Sequence, residues 1–309
     1  MKATHYFFSA AAASLMIIAC NKENGQIIND GQLRLSTENT IQESLKSAAQ
    51  DLQLVQFAEN EKVHIFLMED VSGTPTASGE NVTTYAQPLT YTANGTGGLS
   101  NTQYWPTSGN GLHIYGVYPS AADLSFDSTG KSFSILQDQS SDENYKASDL
   151  MTGKPESNPV TRTTSIVPLT FTHLLTKVDI NLTEGDGFSQ GDLANAKVYI
   201  QNTKPTTTFN VQNTTVGTAS GDISDITVCT GTKGSAIIVP QTVAADAAFI
   251  KVVISEGEYI YKLAAQTAFQ QSSVYTYNIT VNKTGLKVSS TITEWVSVGT
   301  ATSGTATLQ

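Results

Sequence analysis

The stretch Leu169-Thr-Phe-Thr-His-Leu-Leu-Thr-Lys-Val-Asp-Ile-Asn-Leu182 decides the fold class of this chain. Its large apolar side chains begin at odd positions, through Leu175, and continue at even positions from Val178 onward. Because successive side chains of a strand point to opposite faces, such alternation predicts β-structure with one apolar face. The single change of parity predicts a β-bulge near residues 175–177.

The same alternation recurs along most of the chain. Strand-like runs lie at residues 32–36, 63–67, 112–118, 249–254, 259–263 and 275–281. Turn-forming residues separate many of them; for example, Lys283-Thr284-Gly285 follows the last run. One helix is predicted from Thr40, where a capping box with Glu43 precedes apolar residues at helical spacing up to Leu52. The sequence therefore predicts an all-β fold.

A segment without apolar periodicity, residues 156–165, is the best candidate for a domain boundary. The predicted organisation is a signal peptide at 1–19, a tether at 20–31, an N-terminal domain at 32–160 and a C-terminal domain at 161–309. Large apolar residues of the second domain are expected to be buried: Phe171, Val178, Ile180, Tyr277, Ile279 and Trp295.

The N-terminus has the features of an export signal. Lys2 precedes an apolar run, Phe7 to Ala19, which is shorter than the ~20 residues that a membrane-spanning helix needs. The run ends in Ile17-Ile18-Ala19-Cys20, which resembles a bacterial lipobox. Cys20 is therefore the predicted site of lipidation, and the outer membrane is the predicted partner of that anchor. The alternative is an ordinary signal peptide that contains a cysteine.

The overall charge excludes some classes of partner. The formal net charge is −10 and only 14% of residues are charged, which argues against nucleic acid and against general adhesion to anionic membranes. The chain has two cysteines. If Cys20 carries lipid, Cys229 is left alone in a strand-like run, where a small buried thiol is expected.

The sequence predicts no enzyme, no cofactor and no metal site. Beyond the signal peptide the histidines are His64, His113 and His173, all in strand-like runs where a structural role is expected. The chain has no HExxH motif, no GxSxG nucleophile elbow and no phosphate-binding P-loop. The segment Asp186–Asp192 has acidic residues at both ends but lacks the ligand order of a calcium loop.

Several motifs, in this order and spacing, resemble those of the fimbrillin-like family, the subunits of type V pili. They are Tyr104-Trp105-Pro106, the run Leu112 to Pro119, Asp149-Leu150-Met151, the run Leu169 to Val178, the run Tyr275 to Gly285, and Ile292-Thr-Glu-Trp295. The resemblance implies two transthyretin-like β-sandwich domains and assembly with other pilus subunits by strand exchange. It also implies a location at the cell surface, and Asn21-Lys22-Glu23 is similar to the signal that sends such lipoproteins there.

In shaft subunits of this family a protease cleaves after an arginine near the N-terminus and the first strand leaves. The chain has two arginines, Arg34 and Arg162, and Arg34 matches that position in kind. The resemblance therefore implies that Arg34 is a site of proteolytic maturation and that the strand around Leu33–Leu35 is replaceable. The alternative is that Arg34 only lies on an exposed strand face. The distance from Cys20 to Arg34 is short for a full donor strand, which argues against a shaft position and leaves an anchor, a tip or an unassembled lipoprotein as alternatives.

The predicted function is a structural and adhesive pilus subunit, with host or bacterial surface ligands as further partners. The alternative is a monomeric glycan-binding lipoprotein of a nutrient-uptake system. That alternative needs exposed aromatic side chains, for which Tyr104, Trp105, Tyr115 and Tyr118 are the candidates. A surface hydrolase is a third class, and the missing catalytic motifs argue against it.

Overall fold

A computed structural model describes residues 31–37, 57–71, 82–120, 124, 126, 130–212, 215–295 and 305–306. The predicted signal peptide, Cys20 and the predicted helix from Thr40 to Leu52 lie outside the described residues. Within the described ranges, no helix is long and apolar enough to cross a membrane.

The described chain is nearly all β, as predicted. The first strands are β1 Gln32–Thr37, β2 Lys62–Asp70, β3 Val82–Ala93, β4 Gly98–Tyr104, β5 Leu112–Tyr118, β6 Lys131–Ser134, β7 Met151–Lys154 and β8 Val167–His173, with helix α1 Asp142–Ala147 between β6 and β7. Strands of the second half follow: β9 Thr176–Glu184, β10 Lys197–Thr203, β11 Thr206–Phe209, β12 Ser224–Thr230, β13 Lys233–Ile238 and β14 Gln241–Val243. The last are β15 Ala248–Ile254, β16 Gly257–Lys262, β17 Thr267–Phe269, β18 Ser273–Asn282, β19 Gly285–Glu294 and β20 Thr305–Ala306.

Seven strands form a closed sheet in the order β1-β4-β3-β2-β5-β7-β8. Neighbouring strands are antiparallel except at the seam, where β1 and β8 run parallel. Every residue of β5, Leu112–Tyr118, is buried, so this strand is covered on both faces. The interior contains the side chains of Leu33, Ile65, Tyr91 and Phe171.

Two further sheets share a second apolar core. The four-stranded sheet has the order β12-β10-β15-β16, and the five-stranded sheet has the order β13-β9-β18-β19-β20. Tyr277 of β18 lies 5.5 Å from the ring of Phe249 on β15 and 5.8 Å from that of Tyr261 on β16, measured between ring centroids. The inner faces of the two sheets are therefore in contact.

The last strands follow the sequence pattern closely. In β18 the predicted apolar face is buried, with Tyr275, Tyr277, Ile279 and Val281 at most 3% exposed. The loop Lys283-Thr284 then joins β18 to β19 as a hairpin closed by the pair Asn282–Gly285. The predicted turn and the predicted face are confirmed here, because both depend on short-range periodicity.

The prediction of a β-bulge near residues 175–177 is wrong. Strand β8 ends at His173, and β9 begins at Thr176 in a different sheet. Leu174 and Leu175 lie between the two strands and are completely buried. The parity of the apolar pattern changes because the chain leaves the closed sheet here and enters the five-stranded sheet.

The strands on either side of the predicted boundary, residues 156–165, do not separate into two groups at that boundary. Strand β8 belongs to the closed sheet, and Phe171 is buried in that core rather than in the second one. Strand β6 pairs with β11 of the second half.

Five of the predicted core residues are buried in the second core: Val178, Ile180, Tyr277, Ile279 and Trp295. All described residues fall in one compact unit, Gly31–Gln309, and the two-domain division stays a prediction.

Candidate functional site

The first strand occupies a position between two others and closes the seven-stranded sheet. On one side β1 pairs with β4, with Gln32 opposite Tyr104 and Ser36 opposite Gly98. On the other side it pairs in parallel with the first residues of β8, where Leu35 lies opposite Val167. Strand β1 is therefore not an edge strand. We call the space that it fills between β4 and β8 the β1 seat.

The inward face of β1 fills the β1 seat with apolar and small side chains. Leu33 is 1% exposed and Leu35 is 3% exposed. Thr37 is also buried, and both its backbone N–H and its hydroxyl donate to the carbonyl of Gly97, at 2.7 and 3.2 Å. Burial of a leucine side chain stabilises a fold by about 1.5–3 kcal/mol. The predicted strand around Leu33–Leu35 is thus an integral part of the core.

The ladder between β1 and β4 is interrupted at Arg34. Leu33 lies opposite Gln103 and Leu35 opposite Leu99, so Arg34 faces the three residues 100–102 of β4. In this stretch of β4, the Ser100 hydroxyl and the Asn101 side-chain amide donate to carbonyls of β3 at 3.0 and 2.9 Å.

A surface cavity lies at this interruption. It measures about 400 Å³ and is lined by residues 32–34 and 99–102. Arg34 is half-buried and belongs to the outward face of β1. The predicted cleavage residue therefore lies at the irregularity in the pairing of β1 with β4.

The entry to β1 is held by two contacts. The carbonyl of Gly31 accepts a hydrogen bond from the backbone N–H of Trp105, at 2.8 Å. A β-carbon on Gly31 would lie 3.1 Å from Nη2 of Arg162, so the second arginine of the chain packs directly against this glycine. Gly31 has φ of +72°, a left-handed conformation that favours glycine.

The aromatic residues that a glycan platform would need are mostly buried. Trp105, Tyr115 and Tyr118 are at most 6% exposed. Tyr118 instead packs against Phe57, with ring centroids 4.9 Å apart. Tyr104 is 51% exposed and stands apart from the others in this respect.

His64 and His113 are each buried beside a polar side chain. His64 Nδ1 lies 3.2 Å from the hydroxyl of Ser120, and His113 Nε2 lies 3.6 Å from a carboxylate oxygen of Asp70. Both histidines are buried. The prediction of structural histidines agrees with these positions.

His173 is the centre of a cluster that sequence reasoning missed. Its Nδ1 lies 2.8 Å from Oδ1 of Asp149, and both side chains are completely buried. The Trp295 ring stacks on the imidazole, with centroids 3.8 Å apart and planes inclined by 9°. Ser272 joins the same cluster, since its hydroxyl donates to the His173 carbonyl and its carbonyl accepts from the backbone N–H of Trp295.

The cluster brings together three of the motifs that carried the family resemblance. Asp149 precedes β7, His173 ends β8, and Trp295 follows β19. The three residues thus tie the closed sheet to the end of the last hairpin. In the sequence, each of the three residues lies in one of the motifs that resemble the family. Their spacing along the chain does not reveal that they are in contact.

The remaining polar candidates do not form a reactive site. Cys229 is half-buried, and burial raises the pKa of its thiol to about 11, so the nucleophilic thiolate is scarce at neutral pH. In the acidic loop, Asp192 accepts from the backbone N–H of Ser189 at 2.7 Å, and Gly191 donates to Glu184. Within the described ranges, no group of three or more histidine, cysteine or acidic side chains is arranged to hold a metal ion.

Comparison with known proteins agrees with this architecture. A model of the fimbrillin-like family matches residues 49–295. A protein of Bacteroides uniformis designated a fimbrium subunit, Fim1C, is 29% identical over 205 residues. This alignment includes 63% of the present chain and 65% of the relative, so the chain spans about two thirds of that protein's length.

Solved structures share the fold at low sequence identity. A crystal structure from Bacteroides uniformis, described as that of a cell adhesion protein, aligns with a TM-score of 0.66 and 22% identity over 87% of this chain and 99% of that one. A second, from Bacteroides ovatus, has a TM-score of 0.61 and 14% identity over 86% and 97% of the two chains. The tip fimbrial protein Mfa3 of Porphyromonas gingivalis has a TM-score of 0.50 and 11% identity, over 85% and 99%. With its family motifs meeting around His173 and most of its length matched, this chain belongs to the fimbrillin-like family.

Proposed function

We propose that this chain is a structural and adhesive subunit of a cell-surface pilus, without a catalytic role. Membership of the fimbrillin-like family supports this proposal, as does the similarity to a relative designated a fimbrium subunit. The observation that carries the proposal is the position of β1. An N-terminal strand lies hydrogen-bonded between two others, and its inward side chains are part of the core.

Loss of β1 would open the seven-stranded sheet along both of its flanks. Strands β4 and β8 would then present unpaired backbone groups to each other across the β1 seat, beside the pockets left by Leu33 and Leu35. Unpaired strand edges with adjacent apolar pockets bind an incoming strand through ladder hydrogen bonds and alternate side chains. We therefore propose that another pilus subunit supplies a replacement strand to the β1 seat.

Cleavage after Arg34 would open the seat in two stages. It would release Gln32 and Leu33, which pair with β4 and not with β8, together with Arg34, and would empty the Leu33 pocket. Leu35 to Thr37 would stay attached to the chain as its new N-terminus. All three would remain paired with β8, and Leu35 and Ser36 also with β4. An incoming strand would enter at the Leu33 pocket and displace these three residues afterwards.

The proposed location is the cell surface, through a lipid on Cys20. Anchoring by acyl chains contributes about 0.8 kcal/mol per buried CH₂, so two or more chains give stable attachment and one does not. The segment from Cys20 to Gly31 would serve as the tether between lipid and β1.

The alternative function, a monomeric glycan-binding lipoprotein, finds little support in the aromatic residues. Both tryptophans of the chain, Trp105 and Trp295, are 3% exposed. A stacking platform needs exposed aromatic faces, and Tyr104 alone of the four candidate residues offers one.

The proposal is tested by isolating the protein from the surface of its native cells. We expect an N-terminus at Leu35 by mass spectrometry, and high-mass species on detergent gels that disappear on heating. A pilus role without β1 exchange would give high-mass species that retain residues 20–34. Purely monomeric protein, together with unchanged surface filaments after deletion of the gene, would contradict the pilus role itself.

A further inference from the structure

Strand β16, Gly257–Lys262, forms one edge of the four-stranded sheet. It pairs with β15 through a hairpin whose two-residue loop is closed by the pair Ile254–Gly257. In an antiparallel ladder, alternate residues direct their N–H and C=O groups toward the partner strand and away from it. Counted from the closing pair, Glu258 and Ile260 direct these groups toward the open edge.

The solvent-facing side chains of β16 form a self-complementary series. Glu258, Ile260 and Lys262 are exposed, and Ile260 is 48% exposed although it is a large apolar residue. Consider two copies of β16 paired antiparallel about a two-fold axis through Ile260. Glu258 of each copy then lies opposite Lys262 of the other, and the two Ile260 side chains lie side by side.

The backbone and the charges specify the same register. In this register Ile260 would exchange backbone hydrogen bonds with Ile260 of the other copy, and Glu258 with Lys262, whose backbone also faces outward because that of Leu263 donates to Ala247. Among the residues that the structure describes, no ion pair involves Glu258 or Lys262. Opposite charges directly across an antiparallel pair stabilise it, and like charges destabilise it.

The net charge of the whole chain opposes self-association, so a charge-complementary edge strand is a notable exception on its surface. Two copies with a formal net charge of −10 repel each other in general. Acidic edge strands would add to that repulsion, whereas β16 places a lysine opposite each glutamate. Closed two-fold dimers use the same surface patch on both copies, which requires a patch that is complementary to itself.

We propose that β16 is a self-association edge, at which a second copy of this chain adds its own β16 antiparallel. The two four-stranded sheets then form one continuous eight-stranded sheet across the two-fold axis. This contact lies on a different sheet from the β1 seat and is independent of strand exchange there. Because the pairing involves one short strand from each copy, it belongs to the weak, transient class of interfaces.

Charge reversal gives a direct test by sedimentation velocity of the purified full chain, up to about 0.5 mM since such interfaces have high dissociation constants. The unaltered chain is expected to show a concentration-dependent dimer. In Glu258→Lys, both charge pairs of the dimer become Lys–Lys pairs, and the dissociation constant should rise about tenfold. Lys262→Glu should have the same effect through two Glu–Glu pairs.

Mixing the two variants is the decisive measurement. A heterodimer of Glu258→Lys with Lys262→Glu restores both opposite-charge pairs, so dimers should reappear in the mixture only. As a matched pair, Ile260→Lys should abolish the dimer, whereas Ile223→Lys, at an exposed isoleucine beside the opposite edge strand, should leave it unchanged.

Several outcomes would overturn the proposal: a monomer at every concentration, dimers that both charge reversals leave intact, or no recovery on mixing. Circular dichroism checks that each variant is folded, and the charge reversals lie at exposed positions where folding should tolerate them. High-mass species that depend on Arg34 should persist in Glu258→Lys, which separates this contact from exchange at the β1 seat.

Discussion

The ring of Phe171 lies against the backbone of Gly153, so closely that a β-carbon on this glycine would be 2.6 Å from the ring Cζ. Gly153 pairs with Gly116 across β7 and β5, and the same ring contacts Gly116. Two glycines on adjacent strands thus make the space for one aromatic side chain inside the closed sheet. Neither glycine has a positive φ, so it is this space that requires them.

Gly153→Ala should lower the free energy of unfolding by about 1–3 kcal/mol, because an added methyl group overpacks a filled core. Urea denaturation followed by circular dichroism measures the loss. The same substitution in a Phe171→Leu background should cost less, since the smaller side chain vacates the site. Equal costs in the two backgrounds would show that the ring is not the cause.

Asp149→Ala should destabilise the fold by about 1–3 kcal/mol, because it leaves the buried Nδ1 of His173 without its partner. Asp149→Asn should cost less, since an amide oxygen can still accept a hydrogen bond. Asp225→Ala is the matched control: it removes a carboxylate that is 45% exposed and pairs with Lys251, and should change stability by less than about 1 kcal/mol. A similar loss in both alanine variants would contradict the importance of the buried cluster.

Cys20→Ser should release the protein from the membrane fraction or leave it unprocessed, because serine cannot carry the thioether-linked lipid. Cell fractionation and mass spectrometry of the N-terminus measure this outcome. Cys229→Ser is the control and should remain anchored. If the Cys20 variant stays in the membrane with normal processing, the cysteine is only part of an ordinary signal peptide.

Arg34→Ala should block N-terminal trimming and remove the heat-labile high-mass species, because the protease would lose its basic recognition residue. Gel electrophoresis with and without heating detects these species. Arg162→Ala, at the other arginine of the chain, should still be trimmed. Normal oligomers in the Arg34 variant would exclude assembly through cleavage at this position and leave an anchor or tip role.

Alkaline pH should lower the free energy of unfolding, and the buried thiol of Cys229 is one cause of this decrease. Burial raises the pKa of its thiol from 9.0 to about 11, so the folded chain holds this proton more tightly than the unfolded chain. The free energy of unfolding therefore decreases as pH rises through that interval. Burial also raises the pKa values of Tyr91 and Tyr277, which adds a further decrease at higher pH.

Cys229→Ala should make the decline between pH 9 and 11 less steep, as measured by urea denaturation at several pH values. In a Cys20→Ser background, where Cys229 is the remaining thiol, alkylation at pH 8 should be about a hundredfold slower in the folded chain than in urea. Comparable rates in the two states would show that the thiol is not protected.

Short-range patterns predicted the parts of the fold that depend on short-range geometry. The buried face of β18 and its hairpin with β19 follow from alternation and from the turn residues Lys283-Thr284-Gly285. The first described strand, β1, was also placed correctly, because Leu33 and Leu35 alternate with polar residues.

Long-range pairing was not predictable in the same way. A change of parity near Leu175 fits either a bulge or a passage between sheets, and only the neighbours of each strand distinguish the two. The interruption of the ladder at Arg34 involves three residues of the opposite strand, and the sequence around Arg34 does not reveal which residues lie opposite it. Likewise, Asp149, His173 and Trp295 are far apart in sequence, and the fold alone brings them together.

The seam between β1 and β8 has a consequence for the order of folding. It joins Leu35 to Val167, more than a hundred residues later, through three described residue pairs. The entropy cost of closing so long a loop is met only by contacts that form after the other strands are in place. We therefore expect the seam to be the last part of the closed sheet to form and, for the same reason, the first to open. A subunit that must exchange one strand without unfolding the rest would have its weakest junction at this position.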